Sequence, residues 1–232
     1  MKLATLKALN EARRDGRAIV RATDLASGEE LLIDPAADVS PLGQAAAGAA
    51  RADMSGPAQI EGRSWFLSVF NPPLDLVIVG AVHIAQPLVP MAREAGYGVR
   101  IVDPRSAFAT PARFPGVAIS HDWPDEALAK VPLGPRSAIV FLSHDPKIDD
   151  PGLIAALKSN CFYIGTLGSK KTQAARNSRM REAGFGDNEL SRIHGPVGLD
   201  IGARSPAEIA VSILAEMTLV LRGNKRTTSP SP

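Results

Sequence analysis

A single cysteine, Cys161, stands in 232 residues, which excludes an intramolecular disulfide and a multi-cysteine zinc site and fits a reducing cytoplasm. The four histidines, His83, His121, His144 and His194, show no short metal-ligand spacing, so no dedicated zinc site is read. Charge of one sign is missing too: 26 Lys plus Arg face 24 Asp plus Glu, a formal charge of +2. Without a polybasic face nucleic acid is not an expected partner, and any anion site must be local. No apolar run approaches the roughly 18 residues of a membrane span, and the first ten residues lack the continuous apolar core of a signal peptide. A soluble, cytoplasmic protein with no membrane partner is expected. There is no internal repeat. What is present is a 45% hydrophobic content, enough to exclude disorder and to build one good core or two small ones.

Two regions emerge along the chain. Leu3, Leu6 and Leu9 fall at helical spacing before Asp15-Gly16, and a hairpin follows with strands at 18–20 and 31–33 and Ser27-Gly28 in its turn. An alanine-rich helix over 43–52 and a strand over 64–70 lead to Asn71-Pro72-Pro73, which interrupts regular structure and marks a boundary. Residues 1–73 are thus expected to form a small α+β domain. Beyond it, short apolar strands at 76–80, 98–103, 117–120, 138–143, 161–165 and 191–194 alternate with helices. Strands buried on both faces read this way, so 74–222 is expected to be a doubly wound, mostly parallel α/β sheet of Rossmann-like type, with ligands at the strands' carboxyl ends. The Ser, Thr and Pro-rich segment 223–232 is expected to be a disordered tail.

The chemistry gathers in four turns. Val79-Gly80-Ala81-Val82-His83 has the strand, first glycine and helix of a dinucleotide fold, and Asp103 stands where a ribose-binding acid belongs. Val82 replaces the second glycine of that fingerprint, so its side chain crowds a diphosphate in the usual position, and Asp103 before Pro104-Arg105 also fits a turn and helix cap. Ser143-His144-Asp145 ends another strand. Three consecutive residues cannot form a Ser-His-Asp triad, because neighbouring side chains on extended backbone point to opposite sides, but His144 is placed either to meet a ligand or to cap a loop. The third turn, Gly165-Thr166-Leu167-Gly168-Ser169-Lys170-Lys171, offers amides, hydroxyls and two cations together. The fourth runs from His194 to Arg204 and opens a helix at Ser205-Pro206-Ala207-Glu208 with a cap residue, proline at the first helical position and a capping-box glutamate. Helix starts of this kind collect free N–H groups and positive dipole and suit an anion.

These segments in this order, with Val102-Asp103-Pro104-Arg105 and Gly198-Leu199-Asp200-Ile201-Gly202 through Pro206-Ala207-Glu208-Ile209-Ala210, resemble the XdhC/CoxI family of xanthine dehydrogenase accessory factors over about residues 74–222. The resemblance implies a cytoplasmic, non-catalytic chaperone that carries molybdenum cofactor, supports its sulfuration by a cysteine desulfurase and its insertion into a molybdenum hydroxylase of the xanthine or carbon monoxide dehydrogenase type. Gly165, Gly168, Ser169, Lys170 and Lys171 are the expected phosphate anchor. Arg204 and Ser205 are expected to give a second anion contact, and His144 and Asp145 to meet the pterin or the metal's ligands. Gly80, His83 and Asp103 complete the candidate set. The family pattern reads Gly-Ala-Gly-His where this chain has Gly80-Ala81-Val82-His83, and its N-terminal cysteine motif is matched nowhere in 1–73. An oxidoreductase using NAD(P) at Gly80 and Asp103, and a scaffolding maturation protein without bound small molecule, are the alternatives. A homodimer is the default assembly.

Overall fold

The computed structural model describes residues 3–223; the expected tail lies outside the described residues from 224 onward. The chain divides into two compact units between Pro72 and Pro73.

The first unit contains α1 (Leu3–Arg14), β1 (Ile19–Asp24), β2 (Glu30–Ile33), α2 (Pro41–Ala52), β3 (Gly56–Ile60) and β4 (Arg63–Phe70). Its antiparallel sheet has the order β2-β1-β4-β3. The β1–β2 turn is closed by Asp24, whose carboxylate accepts the amides of Ala26 and Ser27, both at 2.8 Å. Alternation sends Val20, Ala22, Trp65 and Leu67 to one face, where they pack on Ala46 and Ala50 of α2. Ser40 starts that helix by accepting the Gly43 amide at 3.0 Å. Strand β3 is not expected from the sequence; its Pro57 is tolerated because β3 lies at the sheet edge.

The second unit contains β5 (Leu74–Val79), α3 (Ala85–Glu94), β6 (Tyr97–Val102), β7 (Ala118–Ser120), α4 (Pro124–Ala129), β8 (Ser137–Phe141), α5 (Pro146–Leu157), β9 (Tyr163–Thr166), α6 (Lys170–Glu182), α7 (Asp187–Leu190), β10 (Ile193–His194) and α8 (Pro206–Arg222). Its six strands pair in parallel in the order β10-β9-β8-β5-β6-β7, so the expected doubly wound sheet is present. The apolar run of β5 serves two cores. Leu74, Leu76 and Ile78 face α3 and α8, whereas Val77 and Val79 face α4, α5 and α6. Each fully buried aliphatic side chain there contributes about 1.5–3 kcal/mol by removal from water. Starting at β5 the chain winds outward to β6 and β7, then returns to β8 on the other side. The crevice at that reversal, outside the carboxyl ends of β5 and β8, is where an open α/β sheet offers room for a ligand.

Candidate functional site

Because all six strands run parallel, the exits of β5, β6, β8 and β9 lie along one edge of the sheet. That edge brings together the turn at Gly80, Asp103, Ser143 to Asp145, and the turn from Leu167 to Lys171.

The β5 turn is partly engaged from within the chain, and the amides of Val82, His83 and Ile84 have no acceptor among the described residues. Gly80 sits at φ 104°, and a Cβ there would stand 2.8 Å from the Ser143 amide nitrogen, so glycine is demanded by the approach of the β5 and β8 exits. The next amide, Ala81 N–H, donates to Asp103 Oδ2 at 2.8 Å, and the Ala81 carbonyl accepts from Arg113 at 2.8 Å. Asp103 is fully buried. It also accepts the Arg105 amide at 3.0 Å and a bidentate pair from the Arg105 guanidinium at 2.9 and 2.8 Å. Burial pushes this carboxyl up, but Arg105 and the two amides outweigh it and hold it below the ordinary range. A dinucleotide requires the turn amides for its diphosphate and the acid for its ribose, and here Asp103 is engaged by the turn and by Arg105. So engaged, Asp103 does not offer a free carboxylate to a ribose, and Val82 stands where the fingerprint has its second glycine. His83 follows as an exposed side chain.

At the β8 exit, Ser143 Oγ donates to Asp149 Oδ1 at 2.6 Å, turned away from any triad with His144. His144 adopts φ 63° and is exposed; burial, then the charge of Arg176, pushes its imidazole below the ordinary value. Asp145 caps α5, its carboxylate accepting the Lys147 amide at 2.9 Å.

At the β9 exit free amides stand beside two cations. Gly165 is buried in the strand, where a Cβ would meet Val197 and Tyr163 at 2.6 and 2.7 Å, so it serves packing. Gly168 has φ 147°. Ser169 caps α6 by accepting the Thr172 amide at 3.1 Å. The amides of Gly168, Ser169, Lys170 and Lys171 have no acceptor among the described residues, and the side chains of Lys170 and Lys171 are exposed without an ion pair. Free amides and cations at a helix start are groups of the kind that suit an anion.

Behind that turn lies a polar cluster that sequence reasoning misses. Arg176, 2% exposed, donates to the Leu167 carbonyl at 3.1 Å and to Gln173 Oε1 at 2.7 Å, and stands 3.8 Å from Asp149 Oδ2. Asp149 is 1% exposed, and burial pushes its carboxyl up to about 6 against the pull of Ser143 and Arg176. The run of Asp145 at the cap of α5 with Asp149 and Asp150 inside it is the available signal. An arginine in a helix as polar as α6 reads as solvent-facing until its neighbours are known.

The fourth turn spends its groups on structure. The Gly198 amide donates to Glu216 Oε2 at 2.8 Å, Tyr163 donates its hydroxyl to the same oxygen at 2.5 Å, and His194 stacks on Tyr163 with centroids 4.7 Å apart. Glu208 accepts the amides of Arg204 and Ser205, both at 2.8 Å, while Ser205 Oγ accepts the Glu208 amide at 3.3 Å. The expected capping box is present, and it occupies the groups assigned to a second anion contact, leaving only the exposed Arg204 side chain. No hydrogen bond or ion pair among the described residues joins Arg204 or Ser205 to Lys170 or Lys171. A shallow groove of about 220 Å³ along β6, β7 and α4 includes none of these turn residues.

A six-stranded parallel sheet whose strand order reverses between β5 and β8 defines a Rossmann-type domain. Residues 76–217 match the XdhC Rossmann domain, and the chain belongs to that family. It is 33% identical over 153 residues to a Bacillus subtilis protein named as a probable xanthine dehydrogenase subunit, covering 66% of this chain and 44% of that protein. It is 31% identical over 151 residues to the molybdenum cofactor insertion chaperone PaoD of Escherichia coli, covering 65% of this chain and 41% of that protein. The chain therefore spans less than half the length of these curated relatives. A crystal structure of a xanthine dehydrogenase from Bacillus halodurans superposes with a TM-score of 0.69 at 24% identity, over 98% of this chain and 66% of that one, a likeness of fold.

Proposed function

We propose that this chain is an accessory protein in the maturation of a molybdenum hydroxylase, holding molybdenum cofactor as cargo for sulfuration and insertion. The observation that carries the reading is the Gly168 to Lys171 turn, with four amides and two lysines that have no partner among the described residues, in a chain of the XdhC family with a cofactor-insertion chaperone among its relatives. The cargo is a pterin with an anionic phosphate or nucleotide diphosphate end, and a carrier must hold that end firmly yet release it. Charge-assisted hydrogen bonds contribute about 1.5–3 kcal/mol each and a helix start about 0.3–1 kcal/mol, so several moderate contacts suffice. Lys170, Lys171 and the adjoining amides anchor the phosphate. His144, exposed at the next strand exit and favouring its neutral form, faces the pterin end, while Gly80, Gly165, Asp103, Asp145 and Ser205 hold the scaffold. The partners are a hydroxylase of the xanthine or carbon monoxide dehydrogenase type and a cysteine desulfurase, with the carrier acting as a homodimer.

Mass spectrometry and metal analysis of protein purified without oxygen from a cofactor-producing host test this directly. Molybdenum and pterin are expected to co-purify, and Lys170→Ala with Lys171→Ala is expected to lower retention in a folded protein. Unchanged retention in that double variant rejects the phosphate anchor. Capture of a hydroxylase without any bound pterin rejects the carrier role in favour of a scaffold.

A further inference from the structure

Lys170 and Lys171 lie at the start of α6, and about two turns further along, beneath them, Arg176 reaches back to the Leu167 carbonyl at 3.1 Å, one residue before Gly168. Arg176 is the one cation of this neighbourhood removed from water, at 2% exposure, and charge in such surroundings is weakly screened. Its counter-ion is Asp149, 3.8 Å away. The pairing is incomplete, because Asp149 Oδ2 and Arg176 Nε are both inaccessible and neither has a hydrogen-bond partner among the described residues. Native interiors rarely leave such groups unmatched without a functional reason. We propose that Arg176, with Asp149 as its counter-ion, is the buried third cation of the anion site at Gly168 to Lys171, and that an anion binding there brings a proton onto Asp149. This rests on the reading of that turn as the phosphate anchor.

The sign follows from charge. With Asp149 ionised, the pair is neutral and Arg176 adds little to the field at the turn. An anion at the turn disfavours the Asp149 carboxylate, and a proton on Asp149 leaves the Arg176 charge facing the anion. Binding and protonation therefore reinforce each other, by the same factor in each direction. Arg176 keeps its place meanwhile, since its bonds to Leu167 and Gln173 do not involve Asp149. The other charges facing Asp149 are Asp150 on α5, which is paired with Arg179 on α6 at 2.5 Å, and Arg105 from the β6 exit, paired to Asp103 at 2.8 Å and also facing Asp145 at the start of α5. His144 from the β8 exit faces Arg176, which after burial pushes its imidazole below the ordinary value, and it is the competing titratable group at this edge.

Sulfate is the probe, because it stays a dianion across the range and its own charge does not change. Calorimetric titration of the full chain between pH 8 and 5.5, in two buffers of different ionisation enthalpy, reads affinity and proton uptake together. Sulfate affinity is expected to rise on the order of 3- to 10-fold toward pH 5.5, with uptake of a fraction of one proton per sulfate. Asp149→Asn is expected to bind tightly at every pH with no uptake. A pH slope that persists in Asp149→Asn assigns the proton to His144 and overturns the inference while the anchor stands. Absence of proton uptake by the wild-type protein overturns it without any variant. Sulfate binding that does not fall in Lys170→Ala/Lys171→Ala overturns the anchor reading and this inference together.

Discussion

Asp103 accepts the Ala81 amide at 2.8 Å, so the acid at the end of β6 holds the turn that leaves β5. Removing it strands a buried amide, at a cost of about 1–3 kcal/mol, and frees Arg105, whose partial exposure lets water recover much of the loss. Asp103→Ala is therefore expected to lower the unfolding free energy read from urea titration by at least that first amount. Because the folded carboxyl is held below its ordinary range, its contribution is complete above the unfolded carboxylate value and disappears as pH falls through the lower folded one. A loss under about half a kcal/mol at pH 7, below the range for a stranded amide, would return Asp103 to the pool of ligand-binding acids.

Gly80 and Gly168 both have positive φ, yet substitution should read out differently. At Gly80 a Cβ meets backbone atoms of Ser143 and Leu142 at 2.8 and 3.1 Å, so Gly80→Ala must push the β5 and β8 exits apart and is expected to cost more than about 3 kcal/mol, among the severe single substitutions. At Gly168 the same atom meets only the Thr172 side chain, at 3.0 Å, and the strain is about 1–3 kcal/mol. Gly168→Ala is expected to fold and to lose anion binding by turning the amides. Gly202→Ala, at φ 74° with open space around it, is the control, costing about 1–2 kcal/mol without touching binding. Equal anion affinity in Gly168→Ala and wild type would remove the amides from the site.

The contrast shows what the sequence could convey. Apolar runs such as 76–80 and 138–143 announce strands because burial on both faces leaves no room for polar alternation, and Ser205 to Glu208 announces a helix start because capping is local chemistry. Both are legible. The glycines at 80 and 165 read as ligand turns, and only the three-dimensional neighbours, Ser143 and Val197, reveal them as points of close packing. Asp149 and Arg176 are illegible for a related reason: a charge in a helix defaults to solvent, and what buries these two is the meeting of α5, α6 and the β8 exit. Strand β3 escapes notice because Gly56 and Pro57 break the propensity that pairing with β4 overrides.

Glu216 joins β9 to α8 by receiving the Tyr163 hydroxyl and the Gly198 amide, with His194 Nδ1 at 3.5 Å. Burial pushes its carboxyl up, but His194, Tyr163 and the Gly198 amide together hold it below the ordinary range. Its stabilisation is thus present above the unfolded carboxylate value and lost as pH falls through the folded one. Tyr163→Phe removes one bond to a charged acceptor, worth about 1.5–3 kcal/mol at neutral pH. Unfolding measured at pH 7 and pH 4 should show that loss shrinking in acid; a loss that is the same at both would mean the hydroxyl contributes by packing alone.

Asp149 runs the opposite way. Burial pushes its folded carboxyl up to about 6 from the ordinary 3.8, so between those values the folded chain binds more protons than the unfolded one and stability rises as pH falls. Above about pH 7 the ionised group is held at a cost of roughly 2–3 kcal/mol, at about 1.36 kcal/mol for each tenfold gap in proton affinity. Arg176 opposes this, since losing the carboxylate leaves its charge without a counter-ion. That attraction is already acting when the carboxyl is pushed up to about 6, so burial wins. Asp149→Asn keeps an acceptor for Ser143 and stays neutral at every pH. In sulfate-free buffer it is expected to be more stable than wild type by up to about 2–3 kcal/mol at pH 7.5, with the advantage fading toward pH 4. A variant less stable than wild type at pH 7.5 would show that Arg176 needs the Asp149 charge to stay buried, and that the pair is held ionised by the fold.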